Sequence, residues 1–276
     1  MADCKLVICV CVQPEFIRLQ AEAFRHFLKQ SFDFCIVDDS RTPELSQQIR
    51  AVCEAEGHEY LRSPPHAPHR TDSSCRHADT LLHGWKTMRK VNSAGEEYKY
   101  IGTIDSDIFP VTPLDLAEIL AVDDILCVRL TAQHIYYFWP GLCIWRTDKH
   151  ALEEYEWDIC IDKGVRADTG GTTYYYWKAW PVKSLEVAMH QFKHLPRSSW
   201  PPLLMLLPQS ILHFCIEDIQ IADRCGVDWW SDVFVDPHSR FVFFHVRDIS
   251  NWQGINGAYL ESKCQRFIEA CRLNHS

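Results

Sequence analysis

An α/β fold, with a mixed and mainly parallel central sheet flanked by helices, is what this sequence predicts. Three observations carry that reading. Residues 6–12 (Leu-Val-Ile-Cys-Val-Cys-Val) are an unbroken apolar run, the pattern of a strand covered on both faces. The first half then alternates strand and helix patterns in order, which sets successive strands parallel. Finally, residues 98–110 (Tyr-Lys-Tyr-Ile-Gly-Thr-Ile-Asp-Ser-Asp-Ile-Phe-Pro) read as a buried strand that reaches two carboxylates and stops at a proline.

The elements follow in order. Phe16, Leu19, Ala23 and Phe27 recur at three and four, so residues 15–28 predict an amphipathic helix. Residues 32–37 are the second strand, ending in Asp38-Asp39-Ser40. Pro43 opens a helix through Ala55 that Gly57 closes. Residues 58–62 are a short third strand; a Pro- and His-rich loop (63–70) leads to a helix over 73–91. In the less regular second half, 125–130 and 136–146 read as strands and 149–160 as a helix. Residues 167–173 form a Gly-containing loop before the aromatic stretch 174–177. Four prolines frame an apolar segment at 196–208, 241–245 is the last clear strand, and 257–273 is a closing helix. The whole reads as one domain, with halves of about 1–130 and 131–276.

Bulk properties narrow the function. A chain of 276 residues, 47% hydrophobic, buries a full core. A net charge of −9 argues against a nucleic-acid partner, which calls for a basic face. Thirteen cysteines without a C-x-x-C pair, many in apolar runs, fit buried thiols and a reducing cytoplasm better than disulfides or zinc. No run is long enough to cross a bilayer and no signal-peptide pattern is expected; the apolar 203–207 segment leaves room for peripheral membrane contact.

Asp105 and Asp107 are the chemical centre. In an ideal extended chain both would face one side, and two close carboxylates repel unless a cation lies between them. Oxygen donors suit Mg²⁺ or Mn²⁺, and ligands gather at the carboxyl ends of strands in α/β sheets. Ordinary turn chemistry explains Asp-Ser-Asp equally well taken alone.

The order of these features resembles a nucleotide-sugar-dependent glycosyltransferase of the GT-A (Rossmann-like) fold with a DxD motif. The resemblance implies a nucleotide-binding first half and an irregular, acceptor-binding second half. It implies a UDP- or GDP-sugar donor, a glycan or other hydroxyl acceptor, and Mn²⁺ or Mg²⁺. Asp38 and Asp39 would approach base and ribose, or cap a strand end. Asp107 would bind the metal, Asp105 would reach it through water or hold the ribose beside Ser106, and His245 would be the third ligand. Arg70 and Arg76 would lie near the diphosphate. Asn251 and Trp252, after Arg247, would close over the donor. Trp139 and Gly141 resemble an acceptor-side turn. Asp168 would be the base, with Gly170 and Gly171 letting the backbone approach the sugar. Glu217-Asp218, read as beginning a helix, is the rival base, although helix starts favour carboxylates anyway.

Three other functions stand against the pattern. A sugar-phosphate nucleotidyltransferase would carry a Gly-rich basic loop after the first strand, where Gln13-Pro14-Glu15 stands. A non-catalytic sugar- or protein-binding module would keep the fold and lose metal-dependent nucleotide binding. A D-x-D phosphatase wants a small or β-branched residue where Phe109 stands.

Overall fold

The first apolar run becomes β1 (Cys4–Val10), with Leu6, Val7 and Ile8 fully buried. The structure is a computed structural model describing residues 2–10, 14–70, 72–149, 155–180, 182–247 and 257–274. After β1 come α1 (Pro14–Phe27), β2 (Phe32–Asp38), α2 (Pro43–Glu56), β3 (Glu59–Arg62) and α3 (Ser73–Thr87). Then follow β4 (Tyr100–Asp105), β5 (Ile108–Pro110), α4 (Leu116–Ile119), β6 (Ile125–Ala132) and β7 (Ile135–Arg146). Next are β8 (Cys160–Asp162), β9 (Val165–Ala167), α5 (Thr173–Ala179), β10 (Ser184–Glu186) and β11 (Ala188–Gln191). The last are α6 (Trp200–Leu204), α7 (Gln209–Cys225), β12 (Asp232–Val235), β13 (Val242–His245) and α8 (Gly257–Asn274).

Two compact units interleave along the chain. The first comprises Met1–Pro14, Gln30–Ser106 and Asp115–Val187. Its seven-stranded sheet runs β10-β6-β7-β4-β1-β2-β3, mostly parallel, with β7 antiparallel to both neighbours. The expected α/β class is therefore observed. Pairing of β1 with both β2 and β4 explains its continuous apolar run, since a central strand has no solvent face. Helix α2 starts behind the Thr42 side chain and ends at Gly57 with φ 75°. Helix α3 packs on β1 and β2 through Gly84, where a Cβ would lie 2.3 Å from Val37 Cγ2. Trp85, Trp145, Tyr155 and Trp157 interlock on the sheet, with Trp145 5.2 Å from Trp157 and 5.4 Å from Trp85 between ring centres.

The second unit comprises Glu15–Lys29, Asp107–Leu114 and Ala188–Ser276. Its antiparallel sheet runs β11-β12-β13-β5. Phe109 of β5 sits 4.9 Å from Phe267 of α8 and 5.7 Å from Phe16 of α1, fixing that strand in the core. Trp200, Leu204 and Leu207 of the proline-framed segment are buried in the same core. Among the described residues no helix is long and apolar enough to cross a membrane. The twelve described cysteines are free thiols, eleven of them wholly or largely shielded and Cys225 exposed.

Several local expectations need correction. The run 98–110 is two strands, with Ser106 and Asp107 in a turn, so the same-face geometry of one extended chain does not apply. The helix expected over 149–160 is absent from its described part: 155–159 is irregular and Cys160 begins β8. Tyr155 and Trp157 are buried with exposed Glu156 between them, a period of two that serves the tryptophan cluster. Helix α3 ends at Thr87 because Met88 turns extended and enters the core. Trp139 to Leu142 lies within β7, where the β6 register jumps, instead of preceding a strand. The aromatic stretch 174–177, to which the sequence assigned no element, is helical. Glu217-Asp218 is in the middle of α7, which already starts after Pro208.

Gly84→Ala should cost about 1–3 kcal/mol, because a methyl at that contact forces α3 away from the sheet or Val37 off its rotamer. Urea unfolding measures it, and an unchanged midpoint would show that the helix seats without a close approach.

Candidate functional site

In the second unit, strand register brings an acid and a base together. Ile108 pairs with His245, and one step further the Val246 amide donates to the Asp107 carbonyl at 3.0 Å. This seats the Asp107 carboxylate 3.0 Å from His245 Nε2. Behind the ring, β12 presents Asp232 directly opposite His245, with Oδ2 3.1 Å from Nδ1. Arg247 Nε donates to the same Asp232 oxygen, and its guanidinium lies 5.0 Å from the Trp230 ring centre. The Phe234 ring stacks on the imidazole at 5.9 Å.

The set is nearly dry: side-chain exposure is 0% at Asp232, 4% at His245 and 16% at Asp107. Burial by itself would raise the Asp107 pKa, but His245 and then Arg247 hold its carboxyl below the usual carboxylate range. Burial would likewise lower His245, yet Asp107 and then Asp232 push it up to about 9. A carboxylate beside an imidazole whose second nitrogen is held by another carboxylate is a donor set suited to a divalent ion. Asp105 ends β4 in the first unit and is tied to Asp107 by two peptide steps.

In the first unit, the carboxyl end of β2 carries Asp38-Asp39, and the two do different work. Asp38 is fully buried. It accepts from the Ser40 amide at 2.8 Å, from Ser46 Oγ and from Tyr60 OH at 2.8 Å, and lies 2.8 Å from Arg62. Its burial would raise the pKa, but the bonds from Ser46, Ser40 and Tyr60 lower it overall. Asp39 is reached by His66 Nε2 at 2.6 Å and Arg76 Nη2 at 2.9 Å. Arg70 bridges Asp79 (2.8 Å) and Asp158 (2.6 Å), which ties the loop 63–70 to α3 and to the segment before β8. His77, one residue after Arg76, brings Nε2 to 3.6 Å from Asp105. Ser106 follows in the turn.

Asp168 is exposed, and its Oδ1 accepts from the Thr169 amide at 2.7 Å. Thr169 Oγ1 donates to the Ser74 carbonyl, so this loop docks on the first turn of α3. Gly170 has φ 88° and a Cβ there would lie 2.3 Å from the Phe138 carbonyl; at Gly171 it would lie 2.7 Å from the Cys160 amide. These glycines are needed for the loop to pack on its own unit. A Cβ on Gly141 would lie 2.3 Å from the Trp139 ring, so that glycine makes room for the indole. Glu217 and Asp218 belong to the second unit; Asp218 is fully buried and takes bonds from Trp229, Tyr259 and Arg266. Asn251 and Trp252 lie outside the described residues.

Sequence reading missed His66, His77, Asp79, Asp158 and Asp232. The first three lie within the loop and helix flanking Arg70 and Arg76, so their proximity was a usable signal. Asp232 carried none, since its pairing with His245 depends on the register between β12 and β13.

No family model and no curated protein matches the chain. Among solved structures, it is similar to residues 1–349 of TarS from S. aureus at 14% identity, over 56% of this chain and 52% of that one, with a TM-score of 0.34. For the mannosyltransferase Ktr4p from S. cerevisiae the values are 10%, 56%, 59% and 0.34. For the apo-form glycosyltransferase GlyE of Streptococcus pneumoniae TIGR4 they are 12%, 67%, 46% and 0.37. The chain thus spans between 46% and 59% of the length of these structures.

The depressed pKa of Asp38 gives a pH signature. Its stabilisation is present above the unfolded value of about 3.9 and is lost as pH falls through the lower folded value. Asp38→Asn should cost about 1.5–3 kcal/mol at neutral pH and flatten the acid limb of the stability profile. Urea titrations between pH 7 and pH 3 measure both, and two superimposable profiles would show the carboxylate is dispensable.

Proposed function

We propose that this chain is a metal-dependent glycosyltransferase, moving a sugar from a UDP- or GDP-sugar to a hydroxyl acceptor, with a glycan as the acceptor class. The observation that supports this best is the Asp107–His245 pair, oriented by Asp232. Asp105, Asp107 and His245 are the residues that would hold Mn²⁺ or Mg²⁺. Charge is consistent with that: the carboxylates of Asp105, Asp107 and Asp232 balance Arg247 and one divalent cation. Bound there, such an ion would supply Lewis-acid stabilisation to a departing diphosphate.

The chain's own residues do the rest. Asp38 maintains the strand end, which leaves Asp39, already facing Arg76 and His66, to meet the nucleoside. Asp105 and Ser106 lie where the ribose would rest. Arg70 and Arg76 each hold carboxylates, so a phosphate contact exchanges one oxygen partner for another on the same fork. Asp168 accepts the proton of the attacking hydroxyl on Oδ2, since the Thr169 amide occupies Oδ1. Trp139, Gly141, Gly170 and Gly171 sit on the acceptor side in this scheme. Asn251 and Trp252 remain candidate donor contacts, and Glu217 and Asp218 alternative bases. The free thiols suit a reducing compartment such as the cytoplasm.

Thermal melting with UDP or GDP, with and without Mn²⁺, tests the proposal. A rise in Tm that requires nucleotide and metal together is expected, and Asp107→Ala should abolish it while the unliganded variant still folds, at a lowered Tm. No shift with any nucleotide would favour a non-catalytic binding module. Asp168→Asn should keep the shift and lose sugar transfer to water by about 10²-fold or more; equal hydrolysis rates in the two proteins would remove Asp168 as the base.

A further inference from the structure

The second unit buries a lysine where no catalytic reading needs one. Lys263 of α8 is 1% exposed, with Asp218 of α7 3.8 Å away and itself fully shielded. Burying an ammonium is costly unless its donors are satisfied, and two of them go to backbone carbonyls: Trp230 at 2.7 Å and Arg247 at 3.2 Å. Those two carbonyls occupy a particular place. In the antiparallel register Asp232 faces His245, so Trp230 and Arg247 face each other two steps beyond the last ladder pair. The ammonium therefore spans the two strands where their own hydrogen bonds have ended.

We infer that Lys263 is a positioning residue for the Asp107–His245 site, acting as a substitute rung that holds the open end of β12 and β13 together. The geometry makes the coupling short. Asp232 is two residues after one anchored carbonyl, and His245 two residues before the other. The Val246 amide, beside the second anchor, holds the Asp107 carbonyl. Without the rung, the strands are free to separate beyond the last pair, and the three side chains lose their fixed spacing. Asp218 then lies 3.8 Å from the ammonium, and Trp229, Tyr259 and Arg266 fix Asp218 in turn. Arg247 is also packed on Trp230, so both anchored residues meet again through their side chains.

This inference rests on the reading that the site takes a divalent ion, and the test separates the two. Mn²⁺ binding is measured by the loss of its free EPR signal in the wild type, in Lys263→Met and in Trp229→Phe, with Tm recorded for each. Trp229→Phe removes one of three bonds to Asp218 and leaves Tyr259 and Arg266 holding it, with the rung intact, so it reports destabilisation alone. The expected result is Mn²⁺ affinity about tenfold or more weaker in Lys263→Met but within twofold of wild type in Trp229→Phe, both with lowered Tm. Should Lys263→Met fail to fold, Asp218→Asn combined with Lys263→Met removes both buried charges and is expected to show the same weakening. A wild type that binds no Mn²⁺ overturns the metal reading and this inference with it. Mn²⁺ affinity unchanged in the lysine variants, or weakened equally by Trp229→Phe, overturns the inference alone.

Discussion

An imidazole held between two carboxylates in a nearly waterless interior is the interaction on which the site depends. Asp107 and Asp232 approach His245 from its two ring nitrogens, and Arg247 supplies the second positive charge. With the ring protonated, two negative and two positive groups cancel, and a bound metal ion would take the place of that proton, which makes burial of all four tolerable. Removing any one leaves an uncompensated charge, so the arrangement is specific even where it adds little net stability. The same arrangement ties three strands together at one end of the second unit's sheet, because its participants come from β12, from β13 and the turn after it, and from the turn before β5.

The first unit solves a related problem with a longer network. Asp39, Asp79, Asp105 and Asp158 meet Arg70, Arg76, His66 and His77 at the carboxyl end of the sheet and the first turns of α3. Four carboxylates face two guanidinium groups and two imidazoles, so the rim is acidic. Such a rim does not attract a diphosphate unaided. A divalent cation is the natural complement to it, and this physical need links the rim to the proposed function. Asp38, next in the chain to Asp39, is withdrawn from that chemistry because Ser40, Ser46, Tyr60 and Arg62 already use its oxygens.

Adjacent aspartates thus have different roles for a reason that burial, not sequence, decides. Residues at the edge of an element show this repeatedly. Gly170 and Gly171 suggest room for a ligand, yet their missing side chains are filled by Phe138 and Cys160 backbone. Trp139 to Leu142 contains Pro and Gly and so suggests a turn, yet it lies inside β7 where that strand parts from β6. The Tyr155 and Trp157 side chains answer to the tryptophan cluster around Trp85 and Trp145. In each case the deciding partner comes from far along the chain.

Sequence by itself determined the α/β class, the order of the first strands and helices, and the residues able to bear the chemistry. Apolar runs, helical spacing and caps such as Thr42 with Gly57 act over a few residues, so they are written locally. His245 could also be singled out, as an ionisable group closing an apolar strand. Tertiary structure alone decided that Ser106 and Asp107 form a turn, that Asp232 stands behind His245, and that Lys263 reaches Trp230 and Arg247. Those facts follow from strand register and helix docking, in which a shift of one residue would turn every side chain to the opposite face.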